Sequence, residues 1–353
     1  MSKVTFFCYS IDESGGLERS LSLVASALTE YNEIFIVSVM KCEKRFFPLN
    51  PKVKVVYLGN EKNIILLICK LRQFLREEKI EKLVVVDTYL SVVSLPASLG
   101  LTLVKIGWEH YSFFSNIVDK KRKISRWLVG IFFDNLVVLT QRDKANWSKK
   151  ILLNARLSVI ENPTPFFEVQ KQNKKFLNTS AVAIGRLRYE KGFDLLIDAW
   201  SLAKPRLPDS ANLIIVGDGE EKEALQKKIV ELDLQDSVFI KNFSREIEKY
   251  YEKAKIYCLS SRTEALPMVL IEALSYSCPL IAFDCYTGPR EIIKQSYNGF
   301  ICSEGDIFDY AERIIYLYSL NEDEFNVISD NSYASSFDYH IENIVLKWRA
   351  LLG

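Results

Sequence analysis

Short, mostly apolar runs alternate along this chain with longer stretches in which apolar residues recur every third or fourth position. In the first half the runs fall at 4–8, 34–39, 53–57, 83–86, 103–107, 136–139 and 158–160. In the second half they fall at 181–184, 213–216, 238–243, 256–259 and 279–283. Apolar runs this short predict strands buried on both faces. The helical spacing between several of them, clearest at 17–29 and 63–78, predicts covering helices. The expectation is an α/β chain built on mostly parallel sheets, in which ligands bind beyond the carboxyl ends of the strands.

The rhythm breaks at Asn162-Pro163-Thr164-Pro165 and the polar stretch 170–175, where prolines and polar side chains disfavour regular structure. This predicts two α/β domains, 1–165 and 166–335, and a terminal segment, 336–353. In that segment Ile341, Ile344, Val345, Trp348 and Leu351 have helical spacing.

A length of 353 residues suits two cores, and 48% hydrophobic with 26% charged residues describes a folded chain rather than a disordered one. Seven cysteines, with no close pair at metal-ligand spacing, read as small buried hydrophobes in a reducing compartment. The start of the chain reads as a first strand rather than a signal peptide. The charge-free stretch 88–104 is broken by Pro96 and Gly100, so no membrane-spanning helix and a cytoplasmic location are expected.

The near-neutral total hides an asymmetry. Residues 1–160 hold 24 Lys and Arg against 15 Asp and Glu, whereas the remainder holds 22 against 30. The basic half is expected to meet something anionic, and no nucleic-acid motif accompanies the charge. Within 111–133, Lys120, Lys121, Arg122, Lys123 and Arg126 interleave with Phe113, Phe114, Trp127, Ile131, Phe132 and Phe133. That mixture suits a peripheral helix on an anionic membrane, or a helix packed on the sheet with a solvated basic face. The charge of this half favours the membrane.

The densest chemistry lies at 260–274. Pro267 is predicted as the first residue of a helix, where a missing N–H costs nothing. The amides of Met268 and Val269 would then point at a phosphate. Glu272 falls on the same helix face, within reach of a hydroxylated group on that phosphate, and Glu264 approaches from the other side. Two carboxylates around an anion pocket suit a sugar nucleotide, one for the ribose and one for the sugar. Arg186 and Lys191, in the loop after 181–184, supply a fork and a point charge for a diphosphate. Gly15 and Gly16 follow the first strand, where glycines allow close approach to a ligand or simply make a tight turn. His110, in Trp108-Glu109-His110 after another strand, is a candidate for the acceptor side or an ordinary structural histidine.

Glu264 and Glu272 separated by seven residues, Gly185-Arg186 with Lys191-Gly192, Gly217-Asp218-Gly219 and Thr287-Gly288-Pro289 occur in an order that resembles the retaining glycosyltransferases of family 4. Ala265 and Asn242 stand where that family usually has glycine. The resemblance implies the GT-B fold: two Rossmann-like domains facing across a cleft, the first for acceptor and the second for nucleotide sugar, with the last helix crossing back onto the first. It implies transfer of a sugar, with retention, from a nucleoside diphosphate donor to a glycan acceptor. The acceptor would be carried on a lipid at the inner face of the membrane, in the assembly of a surface polysaccharide such as O-antigen or capsule. A UDP-sugar is favoured as donor, and Thr287-Gly288-Pro289 points to UDP-galactose or its N-acetylated form. By the same resemblance Arg186, Lys191 and the segment Leu266, Pro267, Met268 and Val269 hold the departing diphosphate. Glu272 binds ribose, Glu264 the donor sugar, and His110 lines the cleft, while the turn after the first strand, on its own residues, makes Gly15 and Gly16 candidates for donor binding. No D-x-D pair is present, so a metal-independent reaction without a cofactor is expected, the nucleotide sugar being a substrate. Two alternatives stay open: a sugar-nucleotide epimerase of similar form, and a nonenzymatic nucleotide-binding subunit of an assembly complex.

Overall fold

A computed structural model describes residues 1–114, 120–172 and 175–353. The chain forms two compact units, Met1–Pro165 together with His340–Gly353, and Phe166–Tyr339.

The first unit is built on β1 (Lys3–Cys8), β2 (Glu33–Ser38), β3 (Lys54–Tyr57), β4 (Lys82–Val86), β5 (Val104–Trp108), β6 (Asn135–Val138) and β7 (Arg156–Val159). They form one seven-stranded sheet in the order β3-β2-β1-β4-β5-β6-β7, and every pairing is parallel. Strand order reverses between β1 and β4, so the loops after them diverge to opposite faces and leave a crevice at the carboxyl edge. Helices Gly16–Leu28, Ile64–Glu77, Ser91–Ser98, Lys120–Phe132 and Gln141–Lys150 cover the sheet. Their limits follow from local chemistry. Asn63 caps Ile64–Glu77 by accepting from the Ile65 and Leu66 amides, and Thr140 caps Gln141–Lys150 by accepting from the Asp143 amide.

The terminal helix Ile341–Leu352 packs on Gly16–Leu28 in this same unit. It buries Ile344, Val345, Trp348 and Leu352, so Leu352 rather than Leu351 completes its inner stripe. The Trp348 ring lies 4.8 Å from Trp108 and 6.0 Å from Phe6, edge to face in both cases. Residues 336–339 stay with the second unit: Ser336 ends the helix Glu322–Ser336, and the Tyr339 hydroxyl donates to Glu291 O at 3.3 Å.

The second unit repeats the plan with β8 (Ser180–Ile184), β9 (Asn212–Val216), β10 (Val238–Lys241), β11 (Ala254–Leu259), β12 (Leu280–Phe283) and β13 (Gly299–Cys302). The order β10-β9-β8-β11-β12-β13 is again parallel throughout, with its reversal between β8 and β11. The run at 238–243 pairs only as far as Lys241, and β13, four residues led by a glycine, was not predicted from the pattern. Both units are therefore the Rossmann-like α/β sheets expected. Five of the seven cysteines are buried as expected, but Cys42 is partly exposed and Cys69 exposed. No helix among the described residues is long and apolar enough to cross a membrane.

Candidate active site

At the β8/β11 reversal the loops that follow the two strands are bound to one another. Arg262, after β11, donates to both carboxylate oxygens of Asp194 at 2.8 and 2.6 Å, and its guanidinium lies 4.0 Å over the Tyr189 ring. Burial alone would raise the Asp194 carboxyl, but the hydrogen bonds and charge of Arg262 carry it below the ordinary carboxylate range. The Arg262 amide donates to Glu190 O at 2.8 Å, and the Ser260 hydroxyl donates to Lys191 O at 2.9 Å. Gly192 completes the seam. Its φ of +62° is left-handed, and a Cβ there would lie 2.1 Å from Ser260 O.

The seam delivers Lys191 to Glu264. Lys191 Nζ lies 2.7 Å from Glu264 Oε1, and the same oxygen accepts from the Ser261 hydroxyl at 2.7 Å. A third loop, after β12, braces the glutamate from behind. Thr287 Oγ1 donates to Glu264 O at 2.5 Å, and Gly288, at φ +96°, sits where a Cβ would meet Pro267 Cδ at 2.6 Å. Ala265 is not among the residues with positive φ, so alanine fits where glycine was expected.

Pro267 is the cap of the next helix rather than its first residue: its ψ of 103° is extended, and the helix runs Met268–Ser275. The Leu270 amide donates to Pro267 O at 3.1 Å, while the Val269 amide has no partner among the described residues. That amide, at the positive end of the helix, remains suited to an anion. Leu266, Pro267 and Met268 bury their side chains. Glu272 is only 2% exposed and accepts at 2.7 Å from the hydroxyl of Tyr251, whose ring stacks on Tyr276. Arg186 is exposed and makes no ion pair among the described residues. At the end of β10, Lys222 Nζ donates to Asn242 Oδ1 at 2.7 Å and to Asp218 Oδ1 at 3.2 Å, so the residue replacing the expected glycine is held by a cation.

The first unit carries Gly15, Gly16 and His110. Gly15 caps helix Gly16–Leu28 with an extended φ of −100°, a conformation open to any residue. His110 follows β5 with its ring 4.4 Å from Trp108. Its Nε2 is buried without a hydrogen-bond partner among the described residues. Burial lowers the imidazole pKa to about 3, so the ring is neutral at physiological pH.

The sequence reading passed over Glu109 beside it. This 1% exposed carboxylate accepts from Thr88 Oγ1 at 2.5 Å and from the Tyr111 amide at 3.1 Å. Arg122 and Arg126 stand 3.6 and 3.5 Å from it, and Arg122 also forks onto Asp87 at 2.8 and 3.1 Å. Burial and then the Asp87 charge push Glu109 up to about 7, against the opposing pull of the two arginines. Asp87 itself has a φ of +71°, a strained conformation at the carboxyl end of β4.

These contacts correct the expected basic face. Arg122 and Arg126 point inward, 8% and 3% exposed, because Asp87, Glu109 and the carbonyls of Ser112 and Phe113 satisfy them there. Lys120, Lys121, Lys123 and Trp127 remain on the surface. Part of that predicted stretch, 115–119, lies outside the described residues.

Ser261 and Arg262 with Asp194 are the supporting residues that sequence reasoning missed. Polar side chains flanking a strand end were their only signal.

The sequence profile of the family "Glycosyl transferases group 1" matches residues 166–333. Over the whole length of both chains the protein is 33% identical to an uncharacterized glycosyltransferase of Haemophilus influenzae and 32% identical to the amylovoran biosynthesis glycosyltransferase of Erwinia amylovora. It is 28% identical, across 100% of this chain and 99% of the other, to a Campylobacter jejuni alpha-1,4-N-acetyl-D-galactosaminyltransferase named for a PP-undecaprenol-linked glycan. Among solved structures, HepE of Anabaena in complex with UDP superposes with a TM-score of 0.83 at 18% identity, covering 100% of this chain and 99% of that one. Full-length identity to these transferases, together with the family profile over the unit that holds Glu264 and Lys191, makes the chain a member of the group 1 glycosyltransferases.

Proposed function

We propose that the chain transfers a sugar from a nucleoside diphosphate, with a UDP-sugar favoured, to a glycan acceptor in the assembly of a surface polysaccharide. The observation that carries this is the Glu264 carboxylate fixed by Lys191 and Ser261 at the β8/β11 reversal, in the loop that leads into the helix Met268–Ser275. The polysaccharide and lipid-linked glycan in the names of the Erwinia and Campylobacter relatives support the substrate class, and the UDP held by HepE supports the donor. In this reading the acceptor is carried on a lipid, and the enzyme works at the cytoplasmic membrane face.

The chemistry follows the family 4 pattern. The bond between the anomeric carbon and the β-phosphate oxygen breaks while the acceptor oxygen bonds to that carbon from the same face. The acceptor proton passes to the leaving phosphate. Negative charge grows on the diphosphate, where Arg186 as a fork, Lys191 as a point charge and the Val269 amide lower its energy without a metal ion. Glu264 then orients the sugar and Glu272 the ribose. Lys191 spans two tasks, neutralising Glu264 and meeting the phosphate.

Glu264→Gln keeps the shape and loses the charge. UDP affinity, read by calorimetry, is expected to stay within about threefold. Turnover with UDP-sugars in chelator and a lipid-linked acceptor falls about a hundredfold or more. Unchanged turnover removes Glu264 from the mechanism, and a requirement for divalent cation refutes the metal-free route.

A further inference from the structure

The second unit holds a cavity of about 360 Å³ at the carboxyl ends of β11, β12 and β13. Its floor is Ser260, Ser261 and Phe283, each 1% exposed, and its mouth is Tyr189, 65% exposed, with Glu304 and Gly305 on the surface. The segments carrying Tyr189 and Glu304 lead into helices Phe193–Ala203 and Ile307–Ser319, which pack on each other. The chain beyond Arg262 turns instead toward Glu264 and helix Met268–Ser275. Arg186, Lys191 and Glu264 are not among the described residues that line the cavity.

The charges around it decide what can enter. Arg262 is engaged on both Nη atoms, by the Asp194 carboxylate and by Tyr189 O. Glu304 has no hydrogen bond or ion pair among the described residues. An anion would therefore face an unanswered carboxylate with no free cation to meet it. A cation drawn to the Tyr189 ring would compete with the Arg262 guanidinium, already 4.0 Å over that ring. An uncharged polyol meets neither obstacle. Its hydroxyls can donate to Glu304 and to the free lone pairs of Ser260 and Ser261, whose own protons go to Lys191 O and Glu264 Oε1. Its C–H face can lie against Tyr189 and Phe283.

We propose that this cavity is a carbohydrate site apart from the nucleotide-sugar site, taking one uncharged pyranose of a glycan. Its volume is at the small end of ligand cavities and suits a single ring. The sugars joined to that ring leave through the mouth, past Tyr189 and Gly305. Ser261 gives the site its consequence. Its hydroxyl holds Glu264 at 2.7 Å, so a ring seated on Ser261 is one side chain away from that carboxylate. Any effect on turnover rests on the sugar-transfer reading, whereas binding in the cavity stands without it.

The test is saturation-transfer NMR on the full chain in excess UDP. The probes are the methyl glycosides of glucose, galactose and N-acetylgalactosamine, with glucosamine and glucuronic acid as charged counterparts. At least one neutral glycoside is expected to bind saturably with a Kd on the order of 1 mM, as befits so small a ligand. The charged counterparts should bind at least about threefold more weakly. Glu304→Ala and Tyr189→Ala are each expected to weaken the neutral glycoside about tenfold. Glu304→Ala should leave thermal unfolding and UDP affinity unchanged. Absence of saturable binding by all three glycosides overturns the proposal, as do charged counterparts that bind equally well. So does undiminished binding in both variants, which would seat the sugar elsewhere. A parent chain that binds the glycoside but neither binds UDP nor transfers a sugar counts against the sugar-transfer reading and leaves the cavity result as it stands.

Discussion

Gly192 decides whether the loops after β8 and β11 close on each other. Its left-handed φ and the 2.1 Å that a Cβ would leave to Ser260 O make alanine doubly unwelcome. Gly192→Ala is expected to cost at least about 2 kcal/mol in denaturant unfolding of the second unit. Because the shift falls next to Lys191, it should also weaken UDP binding, a pairing of effects that calorimetry on the folded variant resolves. At this scale the sequence disclosed the charged groups but not their supports. Glu264, Glu272, Arg186 and Lys191 stand out because their types and spacing fit one ligand. Arg262 and Asp194 do not, since their ion pair joins positions 68 apart and exists only because β8 and β11 are neighbours in the sheet.

Helix Lys120–Phe132 makes the same point for an element. Its composition announced basic and aromatic residues, yet the periodicity could not tell which side faced the sheet. That choice was made by Asp87 and Glu109, acids at the ends of β4 and β5 that draw Arg122 and Arg126 inward. The cluster has a measurable pH signature. Glu109, raised from 4.5 to about 7 in the folded chain, binds a proton there that the unfolded chain has already released between those values. Its contribution to stability is therefore complete at pH below 4.5, falls as pH rises through 7, and is flat beyond. Glu109→Gln removes the titration. The stability difference between parent and variant should shrink on the order of 2 kcal/mol between pH 5 and pH 8, read as unfolding midpoints against pH. A difference independent of pH would mean that Glu109 is ionised throughout.

For the whole molecule, the pattern of apolar runs gave two parallel α/β units, because strands buried on both faces leave a strong signal. Strand order was not legible, and neither was β13, whose four residues reveal themselves only by pairing with β12. The terminal helix was legible through the spacing of Ile341 to Trp348, and its place has a consequence for folding. The first unit is discontinuous, Met1–Pro165 completed by His340–Gly353, whereas the second is the unbroken stretch Phe166–Tyr339. A fragment of residues 166–339 should accordingly fold alone with a cooperative transition and bind UDP, since Arg186, Lys191, Glu264 and Glu272 all lie within it. A fragment ending at Pro165 leaves Phe6 and Trp108 without Trp348 and should bind apolar dyes and aggregate. In the full chain Trp348→Ala is expected to lower the stability of the first unit by about 3–5 kcal/mol while the transition of the second keeps its midpoint. Two resolved transitions in denaturant, only one of them moved, would bear this out. A single transition shifted as a whole would mean that the units unfold as one.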